Sequence, residues 1–570
     1  MSSDTTKIAI ENKRKGTTDW QLKNPSSRRE IEGYASLSSV TAGEEIHFFV
    51  HTEAPQYTIS IYRMGWYGGL GGRTVYGPIT RKGIQQQMPR AHSETGLIAC
   101  QWTDPYRLKI PKEWLTGVYV AKLQEETQKK ESYIIFVVKD MSCEATILFQ
   151  LPVNTYQAYN FWGGKSLYDW GSGSWEKWGQ QTGKRAIEVS FDRPYAANND
   201  PKAAYGVGAG EFFTNIQPVT SHFYPISSAA WDYNMVRWLE KNNYNLSYCT
   251  NLDTHSHPEL LLKQTLFIAH GHDEYWSMEM RENLEQARNS GVNLAFFAGN
   301  TGFWQIRLAF SEKDNKEPRT IICYKDRTDP IQGKKLTINF REPPVNKPES
   351  ALLGVEHSID PVDGDIVVTH PEHWAFKGTH LKKGDRIKGV LGYEVDHVTE
   401  QSPKNITVLA DSMATNLLYN NYGYAIKQLL QKICRRLYFP RDWVAKKSGS
   451  FLILFLTGAI LFNFLLFAVA GKTLWSLFGI LQLLGVSLFL FILWRMVLRQ
   501  NRKIVTTSYS QMTIYRTPSN STVFANGTIQ WSWGLDDFNA PQLRSARKNK
   551  VAEIITRNIL DTLGTRTTQK

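Results

Sequence analysis

The chain has 570 residues, which is too many for a single hydrophobic core and predicts two or three domains. Its composition, 42% hydrophobic and 21% charged, is that of an ordinary globular protein, and its formal net charge is +13. A basic chain favours an anionic partner, but there is no zinc-finger spacing, arginine-rich tract or other nucleic-acid module, so no nucleic-acid partner is expected. The five cysteines are scattered and odd in number, which argues against a disulfide framework.

The N-terminal quarter of the chain is predicted to be mostly β. A polar tail over residues 1–24 is followed by strand-like runs that are separated by turn-rich segments. The runs lie at residues 45–50, 57–62, 117–122 and 131–138. Strands at this spacing are typical of an immunoglobulin-like β-sandwich, which we assign to residues 25–140.

Helices and strands alternate from residue 141 onwards, which predicts an α/β domain over residues 141–440. A helix around 233–241 and a strand at 246–249 are examples of this pattern. Residues 160–181 are rich in tryptophan and glycine and read as a loop. Long loops inside compact domains tend to be functional, so this loop is a candidate for a site.

Polar residues stand at the end of a buried strand in the segment His270–Trp276. The apolar run 265–269 predicts the strand, Ser277 can cap a helix that reaches Asn289, and 292–297 predicts the next strand. Such a unit puts the loop at the carboxyl end of a parallel strand, where open α/β sheets bind ligands. Two histidines and two carboxylates cost stability there unless they are paired or used, so this loop is the first candidate for chemistry.

Two long apolar runs, separated by Gly471-Lys472-Thr473, predict an inserted transmembrane helical hairpin over residues 451–498. The first run, 451–470, has no charged residue and at about 1.5 Å per residue would span roughly 30 Å of hydrocarbon. Basic residues flank the hairpin on both sides, and only Lys472 lies at its tip. The positive-inside rule therefore predicts a multi-pass membrane protein, with the lipid bilayer as partner and both termini and the globular domains cytoplasmic.

Several motifs occur together along the chain. They are Ile31–Tyr34, Tyr62–Tyr67, Asn154–Gly164, Phe191–Tyr195, Gly271–Trp276, Asn300 and Gly527–Trp531. These motifs resemble the N,N-dimethylformamidase large (beta) subunit family, over roughly residues 25–440 and 505–540. The resemblance implies a glutamine-amidotransferase-like α/β domain, and so an α+β multidomain fold class, with a closing segment at 505–545. The remaining residues, 546–570, are predicted to form a basic C-terminal helix or tail.

The resemblance also implies a hydrolase of small linear amides with a mononuclear ferric ion, Fe(3+), held by two tyrosines and one glutamate. Carried over by motif, the metal ligands are Tyr159, Tyr195 and Glu274, and Tyr156 is the alternative to Tyr159. Two phenolates and a carboxylate bring three negative charges, which suit a hard trivalent cation. Only such an ion keeps a phenol deprotonated near neutral pH.

Three further residues match positions around the metal in the family. His272 is expected to donate to the developing oxyanion, Asn300 to polarise the substrate, and Glu394 to act as a general base. The expected partners are a small amide substrate and a small accessory subunit that is not part of this chain, or a second copy of the chain.

Two alternatives stay open at this point. The same fold can serve a non-catalytic, membrane-anchored ligand-binding or scaffold protein instead of an enzyme. A zinc amidohydrolase site at His255 and His257 is a further alternative, although Pro258 and Glu259 after them are typical of a helix start.

Overall fold

The computed structural model of the chain describes residues 6–142, 145–169, 172–173, 183–196, 201–215, 229–310, 317–416, 495, 507–540 and 548–565. Two compact units are present. The larger comprises Met1–Ser358, Asp363–Met413 and Tyr509–Lys570, and the smaller comprises Ile359–Val362 and Ala414–Ser508. In the smaller unit, an isolated antiparallel bridge joins Val362 to Asn416. The candidate functional site lies in the larger unit.

The N-terminal part of the larger unit is a β-sandwich. Its strands are β1 (Ile31–Ala35), β2 (Ser39–Thr41), β3 (Glu45–Thr52), β4 (Gln56–Met64), β5 (Gly72–Lys82), β6 (Tyr106–Lys109), β7 (Gly117–Glu125) and β8 (Glu131–Lys139). One sheet has the order β1-β3-β6 and the other the order β2-β8-β7-β4-β5. Apolar side chains of both sheets, such as Phe48 and Phe136, share one buried cluster. The strands predicted from alternation in this region are therefore confirmed.

Most of the remaining strands belong to the α/β part of the chain. They are β9 (Ile147–Leu151), β10 (Glu188–Ser190), β11 (Leu246–Thr250), β12 (Leu266–His272), β13 (Tyr275–Ser277), β14 (Asn293–Gly299), β15 (Trp304–Phe310), β16 (Pro318–Ile322), β17 (Glu356–Val367), β18 (Arg386–His397), β19 (Thr407–Thr415), β20 (Thr507–Arg516) and β21 (Thr522–Ala525). The central sheet has the order β11-β9-β12-β14-β21-β20-β19. Its first five strands are parallel, and β20 pairs antiparallel with β21. Smaller sheets have the orders β10-β16-β15-β13 and β17-β18.

Helices connect and cover these strands. The α-helices are Lys7–Asn12, Val153–Tyr159, Asp232–Lys241, Asn251–Ser256, Pro258–Leu262, Met278–Asn289, Ser350–Leu353 and Lys550–Leu563, and short 3-10 helices lie at Tyr67–Gly69, Trp162–Gly164, Pro201–Gly206, Gly333–Lys335, Trp374–Phe376 and Ile529–Gly534. The Ser277 hydroxyl accepts a hydrogen bond from the Met280 N–H and caps the helix that ends at Asn289, as predicted.

The predicted α+β multidomain fold class with an inserted transmembrane hairpin is wrong and is corrected to a mixed α/β fold with several sheets. Across the described ranges no helix has the length and apolar character that a membrane span requires. The longest helix there, Lys550–Leu563, has 14 residues, whereas a span needs about 20. The segment 451–498 itself lies outside the described residues, apart from Arg495. The predicted multi-pass membrane location, with cytoplasmic termini and domains, depended on this hairpin and is therefore not supported.

The carboxyl ends of the central parallel strands lie side by side and define one edge of the sheet. His272, the last residue of β12, is in register with Gly299 at the end of β14. The helix Val153–Tyr159 begins directly after β9, the neighbour of β12 on its other side. Residues that follow these three strands therefore meet at this edge, although they are far apart in the sequence.

Gly271 determines how the two histidines of this edge are oriented. Its φ of 64° is in the left-handed region, and an added Cβ would come within 2.9 Å of Asp232 Oδ1. In a regular strand His270 and His272 would point to the same face, since side chains alternate. Glycine adopts this conformation without the steric cost that other residues pay. The turn at Gly271 lets His270 contact Asp232 and His272 contact Glu274.

Candidate functional site

Glu274 lies at the centre of the candidate site, in the loop between β12 and β13, and is only 3% exposed. Its backbone N–H donates to the Thr155 hydroxyl at 3.0 Å, and its carbonyl oxygen accepts from the Trp304 N–H at 3.0 Å. Hydrogen bonds thus fix both the N–H and the carbonyl group of Glu274. The carboxylate is presented to the site from a fixed position.

Two tyrosine hydroxyls converge on the Glu274 carboxylate. The Tyr159 hydroxyl donates to Oε2 at 2.8 Å. The Tyr168 hydroxyl lies 2.9 Å from the Tyr159 hydroxyl and 3.1 Å from each carboxylate oxygen. Tyr159 ends the helix after β9, and Tyr168 belongs to the tryptophan- and glycine-rich loop. Three oxygen-bearing side chains therefore meet within hydrogen-bond distance of one another.

The charge states of this cluster follow from burial and proximity. Burial, together with the neighbouring Glu274 carboxylate, raises the pKa of both Tyr159 and Tyr168 well above the ordinary value. Burial alone would raise the pKa of Glu274 as well, but His272, Lys325 and Tyr159 outweigh it and lower that pKa. The cluster is thus a carboxylate with two neutral phenols, whose protons only a cation could replace at neutral pH.

His272 links Glu274 to Glu394. Its Nε2 lies 3.3 Å from Glu274 Oε2 and 3.3 Å from Glu394 Oε2, and all three side chains are almost fully buried. Burial would lower the pKa of His272, but the two carboxylates outweigh it and hold the pKa well above its usual range. The ring is therefore an imidazolium shared between two carboxylates. The predicted residues His272, Glu274 and Glu394 are brought together.

Asn300 follows β14 in a left-handed conformation, with φ of 55°. Its backbone N–H donates to Asp396 Oδ1 at 2.8 Å, and burial raises the pKa of Asp396 to about 6. The side-chain oxygen of Asn300 is buried and has no hydrogen-bond partner within the described part of the chain. An unsatisfied buried oxygen costs about 1–3 kcal/mol, which marks Asn300 as a candidate contact for a ligand.

Tyr168, Tyr275 and Lys325 belong to the cluster, and none of the three was predicted as a site residue from the sequence. The Tyr275 hydroxyl donates to the Tyr168 hydroxyl at 2.5 Å, and Lys325 Nζ donates to the Tyr275 hydroxyl at 2.7 Å. Lys325 Nζ also lies 3.4 Å from the centre of the Tyr168 ring, and burial lowers the pKa of Lys325 to about 8. The long loop 160–181 pointed to the region of Tyr168, but no signal in the sequence pointed to Lys325.

Tyr195, the third predicted ligand, contacts other residues. Its ring packs edge-on against the Tyr156 ring at a centroid distance of 6.5 Å, and it lines a cleft together with Phe161 and Gly208. Within the described ranges, no hydrogen bond or ring contact joins Tyr195 to Tyr159, Glu274 or His272. The predicted ligands Tyr159 and Glu274 are therefore brought together, whereas Tyr195 makes no direct contact with them within the described residues.

The alternative ligand Tyr156 is engaged with a different partner. Its hydroxyl donates to Asp232 Oδ2, and the other oxygen of Asp232 lies 3.0 Å from His270 Nδ1. Asp273, next to Glu274, accepts hydrogen bonds from two side-chain amides at 2.6 and 2.9 Å, and burial raises its pKa to about 7. These polar residues hold the loop in position, and none of them reaches the tyrosine cluster.

The histidines considered for zinc do not form a cluster. His255 Nδ1 lies 2.8 Å from the Ser277 hydroxyl, and His257 Nδ1 lies 3.1 Å from a carboxylate oxygen of Glu259. In the ranges that the structure describes, no three histidine, cysteine or acidic residues are arranged to hold a metal ion. A metal at the Glu274 site would instead depend on tyrosine oxygens.

Comparison with known protein families identifies the family of the chain. A family model described as N,N-dimethylformamidase beta subunit-like, C-terminal, matches residues 58–545, which include every residue of the site. No curated protein sequence matches the chain. Because the family model covers far more than half of the sequence, the chain belongs to the N,N-dimethylformamidase beta subunit-like family.

Proposed function

We propose that the protein hydrolyses the C–N bond of small linear amides with a mononuclear ferric ion at the Glu274 cluster. Membership of the family supports an amide hydrolase. The observation that carries the proposal is the convergence of Tyr159, Glu274, His272 and Glu394, with 2.8 Å between Tyr159 and Glu274 and 3.3 Å from His272 to each glutamate. When bound, the metal would polarise the amide carbonyl and lower the pKa of a water molecule.

Tyr159 and Glu274 fit the chemistry of such a cation. Both offer oxygen, the donor that hard cations prefer, and both are buried away from competing water. The neutral phenol of Tyr159 loses its proton only when a cation takes its place, so metal binding at this site releases protons.

Glu394 is the general base of the proposed reaction. It takes a proton from the attacking water as the water oxygen bonds to the carbonyl carbon, and it passes that proton to the nitrogen as the C–N bond breaks. The products are a carboxylate and an amine. His272 keeps Glu394 oriented through the 3.3 Å contact and presents an N–H where negative charge develops. Proton transfer by a positioned group contributes about 10²- to 10⁴-fold to a rate.

Asn300 positions the substrate. Its side-chain oxygen has no partner within the described part of the chain, and its left-handed backbone is held by Asp396. Because β14 and β12 are neighbours, Asn300 follows the residue that is in register with His272. An amide side chain at this place can contact the polar atoms of a substrate next to the base.

The proposal is tested with the Glu394→Gln variant of the full-length chain. Release of dimethylamine from N,N-dimethylformamide is measured beside iron content, and Glu259→Gln, which changes a half-exposed carboxylate beside His257, is the control. We expect Glu394→Gln to retain iron and to lose about 10²- to 10⁴-fold in kcat, as for a general base. Full activity of Glu394→Gln, or no amide hydrolysis by the iron-loaded wild type, would overturn the proposal. The second result would favour a ligand-binding role of the same fold.

A further inference from the structure

We propose that the protein has a second binding site, in a cleft between β1 and the 3-10 helix Trp162–Gly164, which takes a small uncharged compound through its carbonyl oxygen. Arg29, Glu32 and Ser132 line the cleft from the side of the β-sandwich, and Phe161, Trp162 and Val207 line it from the side of the α/β part. In the described part of the chain, Glu274, His272 and Glu394 are not among the lining residues. Binding in this cleft therefore requires neither iron nor amide hydrolysis.

Two buried hydrogen-bond donors of this cleft have no partner. The Ser132 hydroxyl and Nη2 of Arg29 are both buried, and neither makes a hydrogen bond within the described ranges. Ser132 as a whole is 1% exposed. Each unsatisfied polar group of this kind costs about 1–3 kcal/mol, so two of them in one cleft indicate that a ligand completes their hydrogen bonds.

Arg29 is held in a position that leaves Nη2 available to a ligand. Its Nε donates to Glu32 Oε1 at 2.6 Å, and its guanidinium lies over the Trp162 ring at 5.4 Å. Its backbone φ of 67° is in the left-handed region, which costs about 1–2 kcal/mol. The turn before it is closed by Glu30, whose Oε2 accepts from two backbone N–H groups at 2.9 and 2.7 Å. The donor is thus fixed before a ligand arrives, which lowers the entropy cost of binding.

The charges in the cleft favour an uncharged ligand over an anion. Glu32 accepts from Arg29 Nε at one oxygen and from the Trp162 indole N–H at the other, at 2.7 Å. Since both oxygens accept hydrogen bonds, the group is an ionised carboxylate that offsets the guanidinium charge. An anion would be attracted by Arg29 and repelled by Glu32. A carbonyl oxygen accepts from both free donors without this repulsion.

The remaining wall of the cleft suits short alkyl groups. Ile31, Phe161 and Val207 are buried apolar residues that line it. The cleft has about 500 Å³ of empty space including the part open to solvent, in the lower half of the roughly 300–1,000 Å³ of small-molecule pockets. Arg29 and Met88 also line a wider polar groove, which gives access to the cleft. The ligand is therefore a small carbonyl compound with short alkyl groups.

Acetone and acetate are a matched pair of probes, because they are similar in size, differ in charge and have no C–N bond to hydrolyse. The full-length chain is titrated with each at constant ionic strength. Binding is followed by NMR through the Trp162 indole N–H, whose signal is identified by its loss in Trp162→Phe. We expect acetone to shift this signal in a saturable way and acetate to bind at least tenfold more weakly. No saturable shift with acetone would mean that only water fills the cleft. That result, or an affinity for acetate equal to that for acetone, overturns the inference.

Ser132→Ala and its matched control Ser247→Ala assign the binding to the cleft. Ser247 is also a strand residue that is 1% exposed, and its hydroxyl has no partner within the described ranges, but it does not line the cleft. Because Ser132→Ala removes an unsatisfied group, it should be as stable as the wild type without a probe. Its dissociation constant for acetone should rise at least fivefold, whereas that of Ser247→Ala should stay within twofold of the wild type. Equal constants for the two variants overturn the inference.

A further variant, Arg29→Lys, covers the case in which Ser132→Ala does not fold. Lysine keeps the positive charge beside Glu32 but lacks the planar guanidinium that presents Nη2. We expect acetone to bind at least fivefold more weakly to Arg29→Lys, and unchanged binding overturns the inference. A wild type that binds acetone in the cleft but hydrolyses no amide overturns the proposed function and supports the second site.

Discussion

His272 Nε2 lies 3.3 Å from Glu394 Oε2, although the two residues belong to different sheets. The contact depends on Gly299, which ends β14 in register with His272. A Cβ added at Gly299 would come within 2.7 Å of the Glu394 carbonyl oxygen. The absence of a side chain at that position therefore allows β18 to approach the carboxyl edge of the central sheet.

Gly299→Ala should consequently impair catalysis without touching the metal ligands. The methyl group must push the backbone at Glu394 away by several tenths of an ångström, which overpacks the site and costs about 1–3 kcal/mol of folding free energy. We expect kcat to fall at least tenfold on N,N-dimethylformamide while iron content stays constant. Gly364→Ala is the control, since its Cβ would meet only a flexible leucine side chain at 3.2 Å. Equal kcat values for both variants would contradict the account.

Asn300 offers a pair of variants that separates the side chain from the backbone. Asn300→Gly removes the amide but tolerates the φ of 55°, whereas Asn300→Ala removes the amide and adds left-handed strain of about 1–2 kcal/mol. Both should lower kcat/KM to a similar extent, and only the alanine variant should unfold at a lower temperature. Steady-state kinetics and thermal unfolding check this. Wild-type kcat/KM in the glycine variant would show that the amide does not contact the substrate.

The Arg63–Glu240 ion pair is expected to dominate the stability of its region. Both side chains are 0% exposed, and the guanidinium makes two hydrogen bonds to the carboxylate at 2.9 and 2.7 Å. Arg63→Met leaves a buried carboxylate without its cation, so the free energy of unfolding should fall by about 3–5 kcal/mol. Denaturant unfolding measures the change. The double variant Arg63→Met with Glu240→Met should be more stable than Arg63→Met alone, and additive losses would contradict this assignment.

Acid should weaken the fold through Asp253. Burial alone would raise its pKa, but Lys139, at 2.6 Å, and the hydroxyl and backbone donors of Ser39 and Thr250 outweigh it and lower that pKa. A carboxyl whose pKa is lower in the folded chain stabilises above its unfolded value of about 3.9, and this stabilisation is lost as pH falls through the folded pKa.

The measurement for Asp253 is unfolding at several pH values, in the wild type and in Asp253→Asn. The wild type should be more stable at pH 7, and the difference should shrink below about pH 4. A difference that stays constant down to the lowest pH at which both variants fold would mean that the Asp253 charge contributes nothing.

Local signals in the sequence predicted the local structure around Glu274. The apolar run before His270 is β12, and the Ser277 cap and the helix end at Asn289 are where the pattern predicted them. Parallel strands gather their carboxyl ends at one edge, so the approach of His272 and Asn300 could also be expected. The link to Glu394 could come only from the family resemblance, because β18 lies in another sheet.

The sequence was least informative where the position of a residue depends on loops or on the whole fold. Tyr195 follows a motif of the family, but hydrogen bonds from Asn160 fix its loop, and no periodicity reports such bonds. Tyr168 and Lys325 meet through two loops that carry no regular pattern, so their contact could not be predicted. The hairpin was predicted from the hydropathy of two apolar runs. Hydropathy shows that a segment avoids water, but it does not distinguish burial in a membrane from burial in a protein core.

Iron titration of the full-length protein tests the central claim most directly. Metal-free protein is loaded with increasing amounts of ferric salt, and dimethylamine release from N,N-dimethylformamide is measured at each iron content. We expect activity to rise in proportion to iron content and to saturate at about one ion per chain, as for a mononuclear site. Glu274→Gln should neither hold iron nor gain activity. Hydrolysis of the amide that is independent of iron, or undiminished in Glu274→Gln, would contradict the account.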